Sequence, residues 1–521
     1  MTTWPLALDW RTRLPLGAES SATVPQFNLW TLRWNIDRIA HFGRDYWDAP
    51  IFAPESAAFA RSEAQPLTGL LAGLLHPLGG DVGVYNLVLL VLLVTNGYAA
   101  MALARRLGTP ASGAALVGVL AQTMPFTFNE LGVLQLVPLA GFWWMLERIV
   151  AYRANPGRAP LVGAALAFAC IALTSGYFML FTAATLVVVA PLLAWVPARR
   201  WRDRSLDAIT VVVVVGLLVG PLLWSQQANT AAEGWSTTVV ESLSASPRQW
   251  IQHSEFALAV PWAMPRDGGQ PLWPGSALLV LALAGVVTHR GRVTFALLGA
   301  AVAMFLLSLG LHLDIGGWSP YSFLRNHMPG FDRLRSPFRA AAITQSLLVA
   351  LASYSIAVLW RSRWGRTAAV ILVAFAALES VHWNQPTRRV PDVAAFDWVR
   401  WLDRAPPGAV AMVPFPPSGR ASDYEDTTIA MLAQLEHGHP LVNGYTGFFP
   451  DEYKRLRFHM ERFPETADES MHALDETVAR YVVLRDDLVD HDRGEQALSE
   501  FGWRRVFDGT DRDVWTRGVL S

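Results

Sequence analysis

Charge is what this sequence has little of. Asp, Glu, Lys and Arg make up 16% of its 521 residues, where an ordinary soluble domain carries about 25%. Mean hydropathy is +0.27 and 52% of the residues are hydrophobic. So apolar a chain is not a soluble enzyme, a disordered segment or a nucleic-acid binder; it reads as a polytopic membrane protein. Net charge is −1, so no overall basic field draws DNA or acidic lipid. Lysine is nearly missing: Lys454 stands alone beside the arginines. Cysteine is represented by Cys170 only, which excludes an intrachain disulfide and a Cys-based zinc site.

Several motifs are absent as well. There is no Gly-rich phosphate loop, no Walker sequence and no G-x-S-x-G, so nucleotide-driven transport and serine hydrolysis find no support. His437 and His439 flank Gly438, without the i, i+4 spacing of a helical zinc pair. No metal or cofactor is called for. No row of acids or histidines follows successive apolar runs, which argues against a proton-coupled pump.

What the sequence does have is long apolar runs. A spanning helix needs about 20 mostly apolar residues. Ten candidates follow: 82–103, 111–127, 131–150, 159–175, 177–196, 207–225, 273–288, 293–312, 338–360 and 367–383. Arginine falls after every second one: Arg105 and Arg106, Arg153 and Arg158, Arg199 to Arg204, Arg290 and Arg292, Arg361 to Arg366. The positive-inside rule puts those loops in the cytoplasm. It puts residues 1–81, the loops 226–272 and 313–337, and the domain 384–521 outside it. Asn96, Gln122 and Gln345 within runs are expected to bond across helices. Glu379 and His382 fall near the end of the last run.

The segment 1–81 reads as an external loop with interfacial helices. "TWPLAL" resembles the last turns of a spanning helix, which predicts a start upstream of Met1. Residues 66–80 are apolar but too short to cross, with Pro and Gly at both ends, so an interfacial or re-entrant helix is expected. Residues 384–521 read as an α/β domain. Asp392 to Asp403 predicts a Trp-rich amphipathic helix, "AVAMVPFP" and "RYVVLRD" buried strands, and "WRRVFDG" with "RDVWTR" a hairpin around Asp508-Gly509.

Chemistry is expected in the first external segment. Trp30, Trp34 and Trp47 stand there with Asn28, Asp37, Asp45, Asp48, Glu55 and Glu63. Indoles favour the membrane interface, and their faces can stack on sugar rings. A carboxylate beside them can take the proton of an attacking hydroxyl. A second cluster, "MPGFDRLRSPFR", sets Arg333, Arg335 and Arg339 just before a spanning run, where an Arg fork would suit a phosphate; ion pairs to Asp332 or Asp314 are the other use for these arginines. A third stretch, "LVNGYTGFFPDEY", offers an aromatic loop around Tyr445, either to dock the domain or to receive a glycan.

The ordered set "FNLWTLRWN", "YWDAPIFAPE", "SEAQPLTG", "LQLVPLAGFWWML", "MPGFDRLRSPFRA" and "PLVNGYTGFFPDEY" resembles the GT-C superfamily of membrane glycosyltransferases, in a bacterial subgroup, over nearly the whole chain. The resemblance implies an α-helical polytopic inner-membrane protein with a C-terminal extracytoplasmic α/β domain. It implies inverting transfer of a sugar from a polyprenyl-phosphate carrier to a glycan, lipid or protein acceptor in the envelope, with membrane lipid but no nucleic acid as partner. Asp48 and Glu63 are then the implied acids, with Asp37 in reserve. Arg335 and Arg339 are the implied carrier-phosphate ligands, and Trp34, Asn28 and Tyr445 further substrate contacts. Relatives carry an Asp before the first motif where this chain has Val24, and a His before "LQ" where it has Val133. A non-catalytic scaffold or lipid-glycan binder is the alternative, and a flippase or transporter the third reading.

The arginine pattern generates a test. Cysteine placed at Arg363 should resist impermeant labelling in intact cells, and cysteine at Ser242, in the 226–272 loop, should label. The opposite result would invert the topology.

Overall fold

The structure, a computed structural model, describes residues 4–193, 201–229, 234–255, 257, 264–266, 269–382 and 384–517. Arg199, Arg200 and Ser521 lie outside the described residues. The chain enters through a 3-10 turn, Leu6–Leu8, and a short strand β1, Arg13–Pro15. Helix α1, Thr23–Ala40, follows and is buried along most of its length. Helix α2, Pro66–Arg106, has two legs: Gly80 breaks it with φ +64, a conformation that favours glycine. The leg before Gly80 covers the residues expected to be interfacial, and the leg after it covers the first expected span.

The other expected spans are helices α3 (Ala111–Gln122), continued by the short α4 (Pro125–Asn129), then α5 (Ala140–Ala154), α6 (Arg158–Ala172), α7 (Gly176–Leu193) and α8 (Trp201–Ala228). After the short α9, Thr237–Ser242, and a two-residue parallel pair, β2 Gln252–His253 with β3 Met264–Pro265, come α10 (Ser276–Thr288) and α11 (Arg292–Ser308). Helix α12, Pro320–His327, leads to α13 (Ala341–Leu359) and α14 (Arg363–Ser380). Among the described residues four apolar helices, at Pro66–Arg106, Ala111–Asn129, Arg202–Ala228 and Pro337–Leu359, have the length and composition to cross a membrane; Arg158–Ala172, Gly176–Val189, Ser276–Thr288 and Arg292–Ser308 are apolar but shorter.

Two boundaries differ from expectation, each at a proline. The run at 131–150 becomes helical only from Ala140, because Pro138 has no N–H to continue a ladder. Asn96 compensates inside the bundle. Its Nδ2 donates to Val137 O at 2.7 Å, and its Oδ1 accepts the Leu139 N–H at 2.9 Å. Pro125 ends α3 in the same way, and Gln345 accepts the Phe126 N–H at 3.1 Å while donating to Leu272 O at 3.1 Å. The buried amides thus satisfy backbone groups that no water reaches. Glu379 does not reach outward; it caps α10, accepting the Ser276 and Ala277 N–H groups at 3.0 Å each.

Helix α13 is the hub, buried on nearly every face. Small residues let its neighbours come close. A Cβ on Gly285 of α10 would lie 2.1 Å from Leu351 O of α13. Around the hub, Tyr98, Leu217, Trp224, Leu283 and Ile371 present exposed apolar side chains, as a lipid-facing belt requires. The arginine-bearing helix ends gather at one end of the bundle. Arg106 bonds Glu147 at 2.8 Å, Trp360 bonds Ser112 at 3.0 Å, and the His289 ring stacks on Tyr354 at 4.2 Å.

The C-terminal domain is α/β, as expected. Strand β4, Thr387–Arg389, pairs with β1 and ties the domain to the start of the chain. A four-stranded sheet follows, with order β5 (Ala409–Val413), β6 (Ala479–Arg485), β8 (Arg512–Thr516), β7 (Arg504–Phe507). The β5–β6 pair is parallel and the other pairs are antiparallel. The predicted Trp-rich helix is shorter than expected, a 3-10 turn Val393–Ala395 and helix α15, Asp397–Leu402. Helix α16, Glu425–His437, packs on α1: Thr428 donates to Gln26 at 2.8 Å and Arg33 pairs with Glu436 at 3.1 Å. The loop after α1 joins the sheet edge, with the Ala53 N–H bonded to Leu441 O at 2.8 Å and the Leu441 N–H to Pro50 O at 2.9 Å.

Gly285→Ala tests the hub. A methyl group against a backbone carbonyl should cost about 1–3 kcal/mol and lower the thermal midpoint. An unchanged midpoint would show that the α10–α13 crossing has slack.

Candidate functional site

The site forms at the end of the bundle away from the arginine-rich loops. Glu63 follows a 3-10 turn, Ala58–Arg61, whose position is held from α8: Gln226 donates to Ala60 O at 3.1 Å and Ser62 O at 2.9 Å. The Glu63 carboxylate then lies against the first turn of α7. Its Oε1 accepts the Tyr177 N–H at 3.2 Å, with the Gly176 N–H beside it. A helix start offers unpaired N–H groups and a positive dipole end, so a carboxylate is favoured there. Gly176 keeps the approach open, since a Cβ on it would meet Glu63 Oε1 at 3.3 Å.

Two arginines face this corner. Arg339, in the 3-10 turn Pro337–Ala340, lays its guanidinium over the Tyr177 ring at 4.4 Å. The Arg335 backbone N–H donates to the Tyr177 hydroxyl at 3.2 Å, its guanidinium covers Trp235 at 5.1 Å, and its side chain hydrogen-bonds Tyr445. Trp235 in turn meets Phe448 at 4.7 Å, so the aromatic loop of the C-terminal domain closes over the arginines.

Glu19 completes the group. The Leu16–Glu19 segment lies beside the turn after α4, with the Ala18 N–H bonded to Asn129 O at 2.6 Å, and Arg266 donates to Ala18 O at 3.4 Å. Burial raises the Glu19 pKa, while Arg339, Arg335 and Arg266 pull it down. Burial likewise raises Glu63, opposed by Arg339, the α7 N–H groups and Arg335. Glu130, next to Asn129, is pushed up by burial to about 8, with Arg339 opposing and Glu19 adding to the rise. Tyr445 is raised by burial, against Arg335.

Glu19 and Glu63 thus share the field of Arg335 and Arg339, and Glu130 lies in that of Arg339. Yet among the described residues no carboxylate comes within 4.0 Å of either guanidinium. Arg339 Nε and Glu63 Oε2 are buried without a hydrogen-bond partner. A buried cation without close anion is costly, and here it stands beside unpaired acceptor capacity. The arrangement can hold an anion on the arginines and accept a proton at a carboxylate.

Of the residues implied by the sequence, Glu63, Arg335, Arg339 and Tyr445 come together. Asp48 does not join them: it is exposed, and its Oδ1 accepts the Ala57 N–H at 2.8 Å, closing a local turn. Asp37 pairs with Arg38 and His41 at the end of α1. Asn28 acts at one remove. Its Oδ1 accepts from Gln65 Nε2 at 2.9 Å and so fixes the chain just after Glu63. Trp34 stacks on Trp30 at 6.1 Å and donates to Tyr46 O at 3.0 Å, a pillar under the external loop. The sequence reading passed over Glu19, Glu130 and Tyr177. Glu19 was visible as the acid preceding "FNLW", displaced from the position at Val24, and Glu130 as an acid isolated between two apolar runs.

A separate group, Asp486, His491 and Asp513, brings ligand-type atoms within 4.8 Å of one another in the C-terminal domain. Arg505 occupies Asp513 Oδ2 at 3.1 Å.

No protein-family model matches the sequence, and no curated protein matches it. Among solved structures, the arabinofuranosyltransferase AftD from Mycobacteria superimposes on 99% of this chain with a TM-score of 0.58 at 16% identity. The chain spans 41% of the AftD chain. ArnT from Cupriavidus metallidurans aligns with a TM-score of 0.48 at 12% identity, both in the apo state, over 99% of this chain and 98% of that one, and bound to undecaprenyl phosphate, over 98% and 96%. The chain has the GT-C-like fold of a polytopic, mainly helical membrane protein with a C-terminal α/β domain.

The Glu130 environment predicts a pH dependence. A carboxyl raised from 4.5 to about 8 favours the fold when protonated. Its contribution is full below pH 4.5 and lost as the pH climbs to about 8. Thermal stability should fall across that window, and Glu130→Gln should flatten the fall. An identical profile in the variant would refute this assignment.

Proposed function

We propose that this chain is an inverting membrane glycosyltransferase that moves a sugar from a polyprenyl-phosphate carrier to an envelope glycan, lipid or protein acceptor at the outer face of the inner membrane. One observation supports the reading above the rest: Arg335 and Arg339 have no described carboxylate in ion-pair reach, yet Glu19 and Glu63 feel the charge of both and Glu130 that of Arg339. Arg335 and Arg339 would take the carrier phosphate, for which their forks are suited. Tyr445 and Trp235 hold Arg335 from the side of the C-terminal domain, and Tyr177 underlies Arg339.

Glu19 is the base in this reading. It is half-buried, so an acceptor can approach it; burial raises its pKa, which strengthens it as a base, and Arg339, Arg335 and Arg266 oppose the rise. The acceptor hydroxyl gives its proton to Glu19 as its oxygen attacks the anomeric carbon. The bond from that carbon to the phosphate oxygen breaks, and the carrier phosphate leaves as an anion on Arg335 and Arg339. Anionic charge grows on the leaving oxygen in the transition state, so the arginines stabilise that state more than the ground state. Glu63 positions: one oxygen fixes α7, and the other faces the site without a partner. Asp48 and Asp37, on the surface, are outside this assignment. The C-terminal domain is then extracytoplasmic, where acceptors of the envelope are met.

Transfer from a panel of polyprenyl-phosphate sugars by the purified chain tests the reading. Glu19→Gln should lower kcat by about 10²–10⁴-fold with carrier binding kept. Arg339→Ala should weaken carrier binding and leave the fold intact by circular dichroism. Full turnover in both Glu19→Gln and Glu63→Gln would sink the base assignment. Carrier binding without turnover on any donor would favour a non-catalytic lipid-glycan binder.

A further inference from the structure

A cavity of about 390 Å³ opens at the opposite, arginine-rich end, where α2 meets α5 and α6. Arg106, Arg148 and Arg158 line it, with Asn155, Gly157 and Pro160. The buried carboxylate of Glu147 is held by two of them: Arg106 at 2.8 Å and, beside it, Arg148. One acid against two bases leaves a positive excess. Arg158 adds to it, for among the described residues it makes no ion pair or hydrogen bond. The cavity also meets the start of α6, where Gly157 supplies no side-chain cap to the first N–H groups. Uncapped N–H groups at a helix start favour an anion.

The walls below the cavity are apolar and turned outward. Tyr98 lies about two turns before Arg106 on α2, and Trp144 one turn before Arg148 on α5. Leu166 lies about two turns after Arg158 on α6. All three are exposed, Tyr98 at 70%. Gly163 shapes the seat, since a Cβ on it would stand 2.7 Å from Cδ of Arg148; the bare backbone lets the arginine stem lie across α6.

We infer that this cavity holds the phosphate headgroup of an anionic phospholipid, with its acyl chains along the exposed faces of α2, α5 and α6. Basic pockets between spanning helices at the headgroup level have the chemistry for such lipids. A near-neutral total charge conceals the site, because acids elsewhere cancel its arginines in the sum but not in space. The inference is independent of the proposed glycosyl transfer, since it involves the other end of the bundle.

Native mass spectrometry of the full chain, released from micelles carrying equal phosphatidylglycerol and phosphatidylcholine, tests it. The wild type should retain phosphatidylglycerol selectively. Arg158→Gln should lower that retention about fivefold, the scale of one arginine at an anionic surface. Arg290→Gln, at the same end but outside the cavity, should leave it unchanged. Arg158 is exposed, so its loss should not disturb folding; Arg148→Gln is the second variant. Equal retention of both lipids, or equal loss in Arg290→Gln, would overturn the site. Complete displacement by millimolar inorganic phosphate would overturn the lipid assignment, because free phosphate cannot compete for the acyl chains.

Discussion

The contact between Glu63 and the first turn of α7 is the joint on which the site end depends. It ties the loop after α1 to helix α7 through a half-buried carboxyl whose pKa burial raises, with the α7 N–H groups among the influences that oppose the rise. An intramolecular hydrogen bond contributes about 0.5–1.5 kcal/mol net, and the helix dipole favours the carboxylate form. Tyr177, whose N–H bonds Glu63, turns its ring under Arg339 and its hydroxyl to the Arg335 backbone. One residue thus sets the distance between the carboxylate and both arginines. Gln226 and the Asn28–Gln65 pair hold the loop on either side of Glu63, so the carboxylate is fixed from α8, α1 and α7 together.

The C-terminal domain is built into this joint. Its sheet edge continues into the external loop through residues 441–443 and 50–53. Tyr445, Phe448 and Trp235 then cover Arg335. An aromatic cover displaces water, and electrostatic interactions strengthen as the local dielectric falls. The loop "LVNGYTGFFPDEY" therefore docks the domain, the first of the two uses suggested by its composition, and the same rings that pack on α1, such as Tyr445 on Phe27 at 5.3 Å, also wall the arginines.

The spans were legible because a bilayer demands long apolar runs and arginine marks their ends. What slipped were helix ends at Pro125 and Pro138, where Gln345 accepts the Phe126 N–H and Asn96 donates to Val137 O, each from a helix distant in sequence. The site was half legible. Arg335 and Arg339 stood out by charge in an apolar context, and Glu63 by its place in a motif. Asp48 looked equivalent to Glu63, but a carboxylate closing a turn and one buried on a helix start have the same letter code. Glu19 was missed for the converse reason. It sits in a Ser-rich coil with no pattern of its own, and only the pairing of Ala18 with Asn129 brings it toward Arg339.

The two ends of the bundle use arginine in opposite ways. At one end the side chains are many and mostly exposed, and their charge is met by water and by Glu147. At the other end the two that matter are covered by aromatic rings and held beyond ion-pair distance of every described carboxylate. If Glu19 or Glu63 closed onto Arg339, the charges would cancel and an incoming phosphate would have to break a buried pair. The separation leaves both signs available in a region of low dielectric. It is kept because each carboxylate is anchored elsewhere: Glu63 by the α7 backbone, Glu19 by a chain segment bonded to the turn after α4. Holding the opposite charges apart is thus the structural work of this end of the fold.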